Sequence, residues 1–250
     1  MDKNPATIRI GTNSVNIFET EVLDIIERAS AVKSFRLKVE NGFEFQPGQF
    51  FLLSIMIDGQ ERSKHFSFSN SPTETGYIEF TKRITDSDFS KVLDNLKVGD
   101  WARVKGPFGS FTLKAEDERI AFLSGGIGIT PIRSMCKFVT DKALPIDIVL
   151  LYGNNTEKDI IFRDDFDNMQ KANKNLRIVY TLTTSCEDED TLCRKGFIDE
   201  KMIREEVPDY KERTFLICGP PNMVTKLTDL LRSKLDIAED KIRLENFTGY

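Results

Sequence analysis

The segment Ile120-Ala-Phe-Leu-Ser-Gly-Gly-Ile-Gly-Ile-Thr-Pro-Ile132 constrains the fold more than any other. An apolar run enters a Ser124-Gly125-Gly126 turn. Gly128, Thr130 and Pro131 follow, and then apolar residues at helical spacing (Ile132, Met135, Cys136, Val139). This reads as a buried strand, a tight turn and a helix starting at Thr130 or Pro131. Threonine caps helix N-termini, and proline suits a first turn in which its missing N–H would go unpaired anyway. Glycines let the backbone approach a ligand closely, and a helix start offers free N–H groups to a phosphate. Spacing alone is also compatible with a plain strand-to-helix turn in an α/β domain.

The chain reads differently on either side of this segment. From Phe18 to about Phe108 short alternating runs (Thr20–Asp24, Val32–Lys38, Phe50–Ser54, Tyr77–Thr81) suggest strands, with one helix over Ser87–Leu96. Asn41-Gly42 is a hairpin signal, Pro47-Gly48 and Asp58-Gly59 mark turns, and Gly106-Pro-Phe-Gly109 punctuates the end. The pattern predicts a small antiparallel β-barrel. After Ala115 buried-strand runs (Ile120–Leu123, Ile146–Tyr152, Leu176–Thr183, Thr214–Cys218) alternate with helical stretches (Ile132–Lys142, Phe162–Ala172, Asp199–Val207, Met223–Leu235). That rhythm predicts a parallel, Rossmann-like α/β sheet. The expected organisation is a tail over 1–17, the barrel over 18–114 and the α/β domain over 115–250. Ligands of such sheets sit at the carboxyl ends of the strands. Gly125–Thr130, Gly153–Asn155, Thr183–Ser185 and Gly219-Pro220-Pro221 all fall there.

Composition narrows the function. With 250 residues and 40% apolar content the chain is long enough for two ordinary domains. A net charge of −5 without a basic block disfavours nucleic acid. One histidine and four scattered cysteines (Cys136, Cys186, Cys193, Cys218) offer neither zinc-ligand clustering nor an iron–sulfur spacing, so no metal is expected. The scatter suggests free thiols in a reducing cytosol. No secretory signal or membrane-length apolar run is evident, so a cytoplasmic location is expected.

Five ordered motifs, Lys64-His-Phe-Ser67, Gly106-Pro-Phe-Gly109, Gly125-Gly-Ile-Gly-Ile-Thr-Pro131, Cys218-Gly-Pro-Pro221 and Glu245-Asn-Phe247, give the chain a resemblance to the ferredoxin–NADP⁺ reductase superfamily of flavin-dependent oxidoreductases. The resemblance covers about Phe18 to Tyr250. It implies a β-barrel holding FAD, followed by a domain binding NADH or NADPH. It places Phe66 against the isoalloxazine and Ser67 near flavin N5, where hydride arrives. The protein's part is to orient the ring. Lys64 stands where the family usually has an arginine on the pyrophosphate, and lysine supplies a point charge without the bidentate fork. His65 is expected to flank the flavin strand and not to be a catalyst. Lys82 belongs to the next flavin-contacting strand. Ser90 lies before a helix at which the family carries Gly-x-x-Ser, with Ser87 here replacing the glycine.

In the second domain the resemblance places Gly125, Gly126, Gly128 and Thr130 under the nicotinamide nucleotide. Cys218, Gly219 and Pro220 would lie beside the nicotinamide, with Cys218 near the hydride path. Glu245 matches an acid able to relay a proton, and Phe247 or Tyr250 would cover the flavin. The 2′-phosphate of NADPH calls for basic residues after the third sheet strand. The loop there, Thr183-Thr-Ser-Cys-Glu187, turns acidic, which favours NADH, although Arg194 and Lys195 follow. Without a cluster motif, the electron acceptor is a separate redox protein (a ferredoxin, an oxygenase component, a cytochrome) or a small molecule. Competing readings are a stand-alone flavin or ferric reductase, a non-catalytic flavin relay subunit of a larger complex, and a nucleotide-binding regulatory module.

Overall fold

The computed structural model describes residues 14–39, 42–184 and 193–246. The chain divides into two compact units. Of the described residues, one unit holds those up to Thr112 together with Thr130–Phe138; the other holds Leu113–Ile129 and those from Val139 onward.

The first unit is a six-stranded antiparallel sheet in the order β4-β3-β6-β1-β2-β5. Its strands are β1 (Asn16–Ala29), β2 (Val32–Lys38), β3 (Phe50–Ile57), β4 (Gln60–Ser67), β5 (Tyr77–Arg83) and β6 (Trp101–Phe108), and helix α1 spans Asp88–Asn95. The long β1 gives the sheet its barrel curvature. Its first half, Asn16 to Glu21, pairs with β6, and from Val22 onward it pairs with β2. A register shift between Val22 and Asp24 marks the change of partner, and such bulges bend a strand and increase its twist. Phenylalanines fill the interior. Phe45 stacks on Phe68 with centroids 4.0 Å apart, and Phe35 on Phe80 at 5.0 Å. Each such pair contributes about 0.5–1.5 kcal/mol beyond its buried area.

Two local expectations change. β2 pairs with β1 and β5 and not with β3, so the turn signal at Asn41-Gly42 does not close a hairpin between β2 and β3; Asn41 itself lies outside the described residues. The β3–β4 hairpin forms instead at Asp58-Gly59, both with positive φ (50° and 73°), as the turn type that matches strand twist requires. Gly106 and Pro107 are not a terminator but part of β6. The β1 ladder begins at Asn16↔Gly106, so Pro107 lies beyond it and its missing N–H costs that ladder nothing.

Below the strands that lead to Ser67 lies a buried polar network. The Glu79 carboxylate, 1% exposed, accepts from Arg28 Nη2 at 3.2 Å, Arg36 Nε at 3.0 Å and Ser69 Oγ at 2.9 Å. A buried carboxylate is tolerable only when its oxygens are occupied in this way. Arg133 donates to the Ser69 carbonyl at 3.1 Å and pairs with Glu74, while Ser134 Oγ donates to the Asn70 carbonyl at 2.6 Å. These contacts account for the clustering of Thr130–Phe138 with the barrel.

The second unit is an all-parallel sheet in the order β10-β9-β8-β7-β11-β12. Its elements are β7 (Arg119–Gly125), α2 (Ile129–Asp141), β8 (Asp147–Asn154), α3 (Arg163–Ala172), β9 (Leu176–Leu182), β10 (Cys193–Lys195), α4 (Glu200–Glu206), β11 (Thr214–Gly219), α5 (Pro221–Ser233) and β12 (Ile242–Asn246). One sheet face, with Leu123, Leu151, Val179 and Ile217, packs on Met202 and Ile203 of α4 and on Val224, Leu227 and Leu231 of α5. Strand alternation puts Phe122, Leu150, Tyr152, Leu216 and Cys218, all buried, on the other. The order reverses between β7 and β11, and an open α/β sheet takes its ligand at such a switch point.

The expectation of free thiols holds for Cys136 and Cys218. It fails at Cys193, which is disulfide-bonded; Cys186 lies outside the described residues. Among the described residues no helix is long and apolar enough to cross a membrane.

Candidate functional site

At the carboxyl end of β7 the chain makes a 3₁₀ turn over Gly126–Gly128 and runs directly into α2 at Ile129. The helix therefore starts slightly earlier than the Thr-Pro signal suggests, and Thr130 and Pro131 lie inside its first turn. Gly126 has φ +53°. A Cβ on Gly128 would come within 2.5 Å of the Gly219 Cα and closer still to the Cys218 carbonyl oxygen, so the turn lies directly on the end of β11. On Gly125 or Gly219 a Cβ would come within 2.5 Å of the Met223 side chain. Glycine is required at 128 by that backbone packing and favoured at 126 by the positive φ.

Strand register assembles the remaining groups. Cys218 pairs with Ser124 on one side and Glu245 on the other. Glu245, Cys218 and Ser124 therefore form one row across β12, β11 and β7, with side chains on a common face. Burial, and then the neighbouring Glu245, push the Cys218 thiol well above its ordinary value; burial likewise raises Glu245. The pair is a neutral thiol beside a carboxyl that holds its proton to higher pH than an exposed one. Pro220 caps α5, with Pro221 at the first helical position.

Two further groups lie at strand ends that the sequence already marks, Ser124 in the glycine turn motif and Asn154 within Gly153–Asn155. Ser124 Oγ and both side-chain atoms of Asn154 are buried without a hydrogen-bond partner. Each orphaned group costs about 1–3 kcal/mol unless something completes it. Asn154 ends β8, and its carbonyl accepts from the Thr183 N–H at 3.1 Å. A glycine cradle at a switch point, a helix start and unfilled polar groups suit a nicotinamide dinucleotide.

In the barrel, Lys64 and Phe66 of β4 share a face. Lys64 Nζ lies 5.6 Å from the Phe89 ring centroid, and the Phe66 ring lies 4.6 Å from Phe80 and 6.0 Å from Phe89. Phe66 thus packs into the barrel core, at 8% exposure. Ser67 is buried as well. His65 is exposed and meets Phe50 edge-on at 5.9 Å. Lys82 of β5 is buried, and burial together with the nearby Lys64 lowers its pKa. A buried ammonium whose charge is disfavoured by burial and by a neighbouring cation suits an anion such as a pyrophosphate. At α1, Ser87 takes the capping role, its hydroxyl accepting from the Ser90 N–H at 3.4 Å. Ser90 is fully buried and its hydroxyl pairs with Thr85 Oγ1 at 3.0 Å.

Lys64, Phe66, Ser67 and Lys82 therefore collect in the antiparallel unit, while Gly125, Gly126, Gly128, Cys218, Gly219, Pro220 and Glu245 collect at one end of the parallel sheet. Phe247, Tyr250 and the acidic loop at Glu187 lie outside the described residues. What the structure adds at the strand ends marked in the sequence is the buried, unpaired side chains of Ser124 and Asn154.

Comparison with known proteins agrees with this division. Residues 20–113 match the oxidoreductase FAD-binding domain and residues 122–229 the oxidoreductase NAD-binding domain. The glycine betaine monooxygenase reductase subunit of Pseudomonas aeruginosa is 29% identical over 92% of this chain, which spans 63% of that protein's length. The propane 2-monooxygenase reductase component of Mycolicibacterium goodii is 29% identical over 96% of this chain and 70% of its own. Among solved structures, the cytochrome b5 reductase domain of Ulva prolifera nitrate reductase superposes with a TM-score of 0.79 at 22% identity, covering 92% of this chain and 97% of that one. A ferredoxin NADP⁺ reductase from Neisseria gonorrhoeae with bound FAD and NADP does so at 0.77 and 20%, covering 92% and 98%. The fold is shared with the ferredoxin NADP⁺ reductase along nearly its whole length, and with the two domain models matched in order the chain belongs to the oxidoreductases that join an FAD-binding domain to an NAD-binding domain.

Proposed function

We propose that the chain oxidises NAD(P)H and passes the electrons through FAD to a separate acceptor, of which an oxygenase component is the first class to test. Bound FAD would supply the exchange between a two-electron donor and an acceptor that takes electrons singly or in pairs. The observation that carries the reading is the row Glu245–Cys218–Ser124 beside the Gly126–Gly128 turn, in a chain that also holds a cation-lined FAD-binding domain. In this reading the glycine turn and the α2 start hold the nucleotide, and Cys218, Gly219 and Pro220 wall the nicotinamide. Glu245 holds a proton at its carboxyl, Lys64 and Lys82 grip the flavin pyrophosphate, Phe66 backs the flavin ring, and Ser67 donates at N5. Relatives that are reductase components of monooxygenases support an oxygenase partner.

The test is anaerobic addition of NADH to the FAD-loaded protein. Bleaching of the flavin band supports the reading. A yellow protein that does not bleach is a relay subunit, and one that takes up no FAD on loading but still binds nucleotide is a regulatory module. Turnover with free flavin or ferric chelate at rates equal to those with protein acceptors would favour the stand-alone reductase.

NADH is the preferred donor in this reading. Thr183 and Thr184 follow β9 with hydroxyls and no cation, and Arg194 is committed to Glu205 and Glu206 on α4. NADH is an intracellular reductant, so a cytoplasmic site of action goes with it. Thr184→Arg should raise kcat/KM for NADPH relative to NADH by about tenfold, the effect of one added charge-assisted contact. An unchanged ratio would remove this assignment.

A further inference from the structure

We propose that Glu79, acting through Ser69, is the positioning residue for Ser67, the side chain read above as donating at flavin N5. The ladder that carries β4 ends at Phe50↔Ser67. Strand ends loosen unless other bonds take over, and here a buried polar network does so within three residues. The Phe68 N–H donates to the Gln49 carbonyl at 3.0 Å, and its ring stacks on Phe45. Ser69 is fully buried and all its polar groups are committed. Its N–H donates to the Glu79 carbonyl at 2.7 Å, and its carbonyl accepts from Arg133 at 3.1 Å. Its hydroxyl donates to the Glu79 carboxylate at 2.9 Å and accepts from Thr81 Oγ1 at 3.0 Å. Asn70 is held by the same residue, its Oδ1 accepting from the Glu79 N–H at 2.8 Å. Arg28 closes the network into a ring. Its Nη2 donates to Glu79 at 3.2 Å, and its Nε donates to Ser34 Oγ at 2.8 Å, which lies 2.7 Å from Thr81 Oγ1. Thr81 gives its one proton to Ser69, so Ser34 must donate to Thr81. Every hydroxyl proton in the ring therefore has one direction, from the guanidinium round to the carboxylate.

Stability alone does not call for such a set. Replacing a buried ion pair by packed apolar groups is commonly neutral or better. What a fully satisfied network adds is a single arrangement of the groups it joins. The anchors lie on β1 (Arg28), β2 (Ser34, Arg36) and β5 (Glu79, Thr81), with Arg36 directly across from Glu79 and Ser34 across from Thr81. None of these strands is the ladder partner of β4, which is β3. The end of β4 is thus aimed from outside its own hairpin. Two peptide units, at most about 7 Å, separate Ser69 from Ser67, and Phe68 between them is fixed. A shift at Ser69 therefore reaches Ser67 with little slack, and misplacement by about an ångström costs positioned chemistry about 100-fold. This rests on the reading of the barrel as the FAD site and adds what holds the Ser67 hydroxyl in place.

The experiment is anaerobic stopped-flow reduction of the FAD-loaded protein by NADH. The proteins compared are the wild type, Ser67→Ala, Glu79→Gln, Ser69→Ala, and each of the last two combined with Ser67→Ala. Glu79→Gln should slow the limiting rate by about tenfold, the cost of a shift well under an ångström, with half-saturation by NADH unchanged. Ser69→Ala leaves both arginines on the carboxylate and decides the matter if Glu79→Gln fails to fold; it should slow reduction by about threefold, within what one lost hydrogen bond is worth. In the Ser67→Ala background neither change should slow reduction further, because the group they position is gone. Equal slowing in both backgrounds overturns the proposal and makes the network a part of the fold only. A Ser69→Ala rate equal to the wild type, or a Ser67→Ala rate equal to it, overturns the proposal and leaves the donor function standing. A wild type that NADH does not bleach overturns the donor function as well.

Discussion

In the proposed reading the two units hold anions by opposite means. The barrel uses formal charge: Lys64 and a buried Lys82, beside a core that also contains the Arg28–Arg36–Glu79 cluster. The parallel sheet uses geometry: a glycine turn pressed onto β11, a helix start, and neutral polar groups left incomplete. A charge-based grip tolerates small displacements, because Coulomb attraction falls off gradually. A backbone cradle does not, because it depends on contacts at van der Waals range. The difference suits a flavin that stays bound and a nucleotide that must enter and leave at every turnover.

The sharpest way to break this comparison is Gly128→Ala. The added methyl has no room against the Cys218–Gly219 backbone. Flavin reduction by NADH should slow by about 100-fold, since displacement by about an ångström has that effect on positioned chemistry; FAD content should be retained. Stopped-flow bleaching checks it, and an unchanged rate would show that the cradle is not used. Next in size is Lys82→Met, which keeps the apolar stem and removes the charge. FAD should be held about tenfold less tightly, measured by flavin fluorescence on dilution, with NAD⁺ affinity preserved. The wild type should also show a pH signature. Burial and Lys64 hold Lys82 below its ordinary value of 10.5, so FAD affinity falls as pH rises through the lowered pKa. Stability of the FAD-free protein rises over the same window, because the unfolded lysine binds the proton that the folded one has released. Both trends should vanish in Lys82→Met.

The smallest effect is expected at Glu245. Burial raises its pKa above 4.5, so the folded state binds more protons than the unfolded state just above that value. Its contribution to stability is present below pH 4.5 and is lost as pH rises through the folded pKa. Glu245→Gln should therefore raise the melting temperature by about 1–3 °C at neutral pH and leave it unchanged near pH 4. A melting curve indifferent to the substitution at both pH values would place the carboxyl in solvent and out of the row with Cys218.

Sequence reading succeeded wherever a residue type is dictated by the backbone. The Gly125–Pro131 turn and the Cys218–Pro221 strand end could be read because few residues can occupy such positions. Strand β4 was harder to place, because Gln60 to Ser63 are all exposed and an edge strand with a wet face loses the alternating pattern. β10, three residues long, and β12 are too short to announce themselves. The role of Asn41-Gly42 was misread because turn residues specify a reversal without saying which strand receives it. The unpaired side chains of Ser124 and Asn154 escaped for another reason. Each is ordinary in type, and only burial in the folded chain sets it apart.

The burial of Cys136 and Cys218 has a practical consequence. Both thiols are free, inaccessible, and shifted upward by desolvation, so neither is a ready nucleophile in the native state. One belongs to the residues that cluster with the barrel and the other to the central strands of the parallel sheet. A slow alkylating reagent followed by peptide mass mapping would consequently time the transient opening of each half in a single sample, with no engineered label.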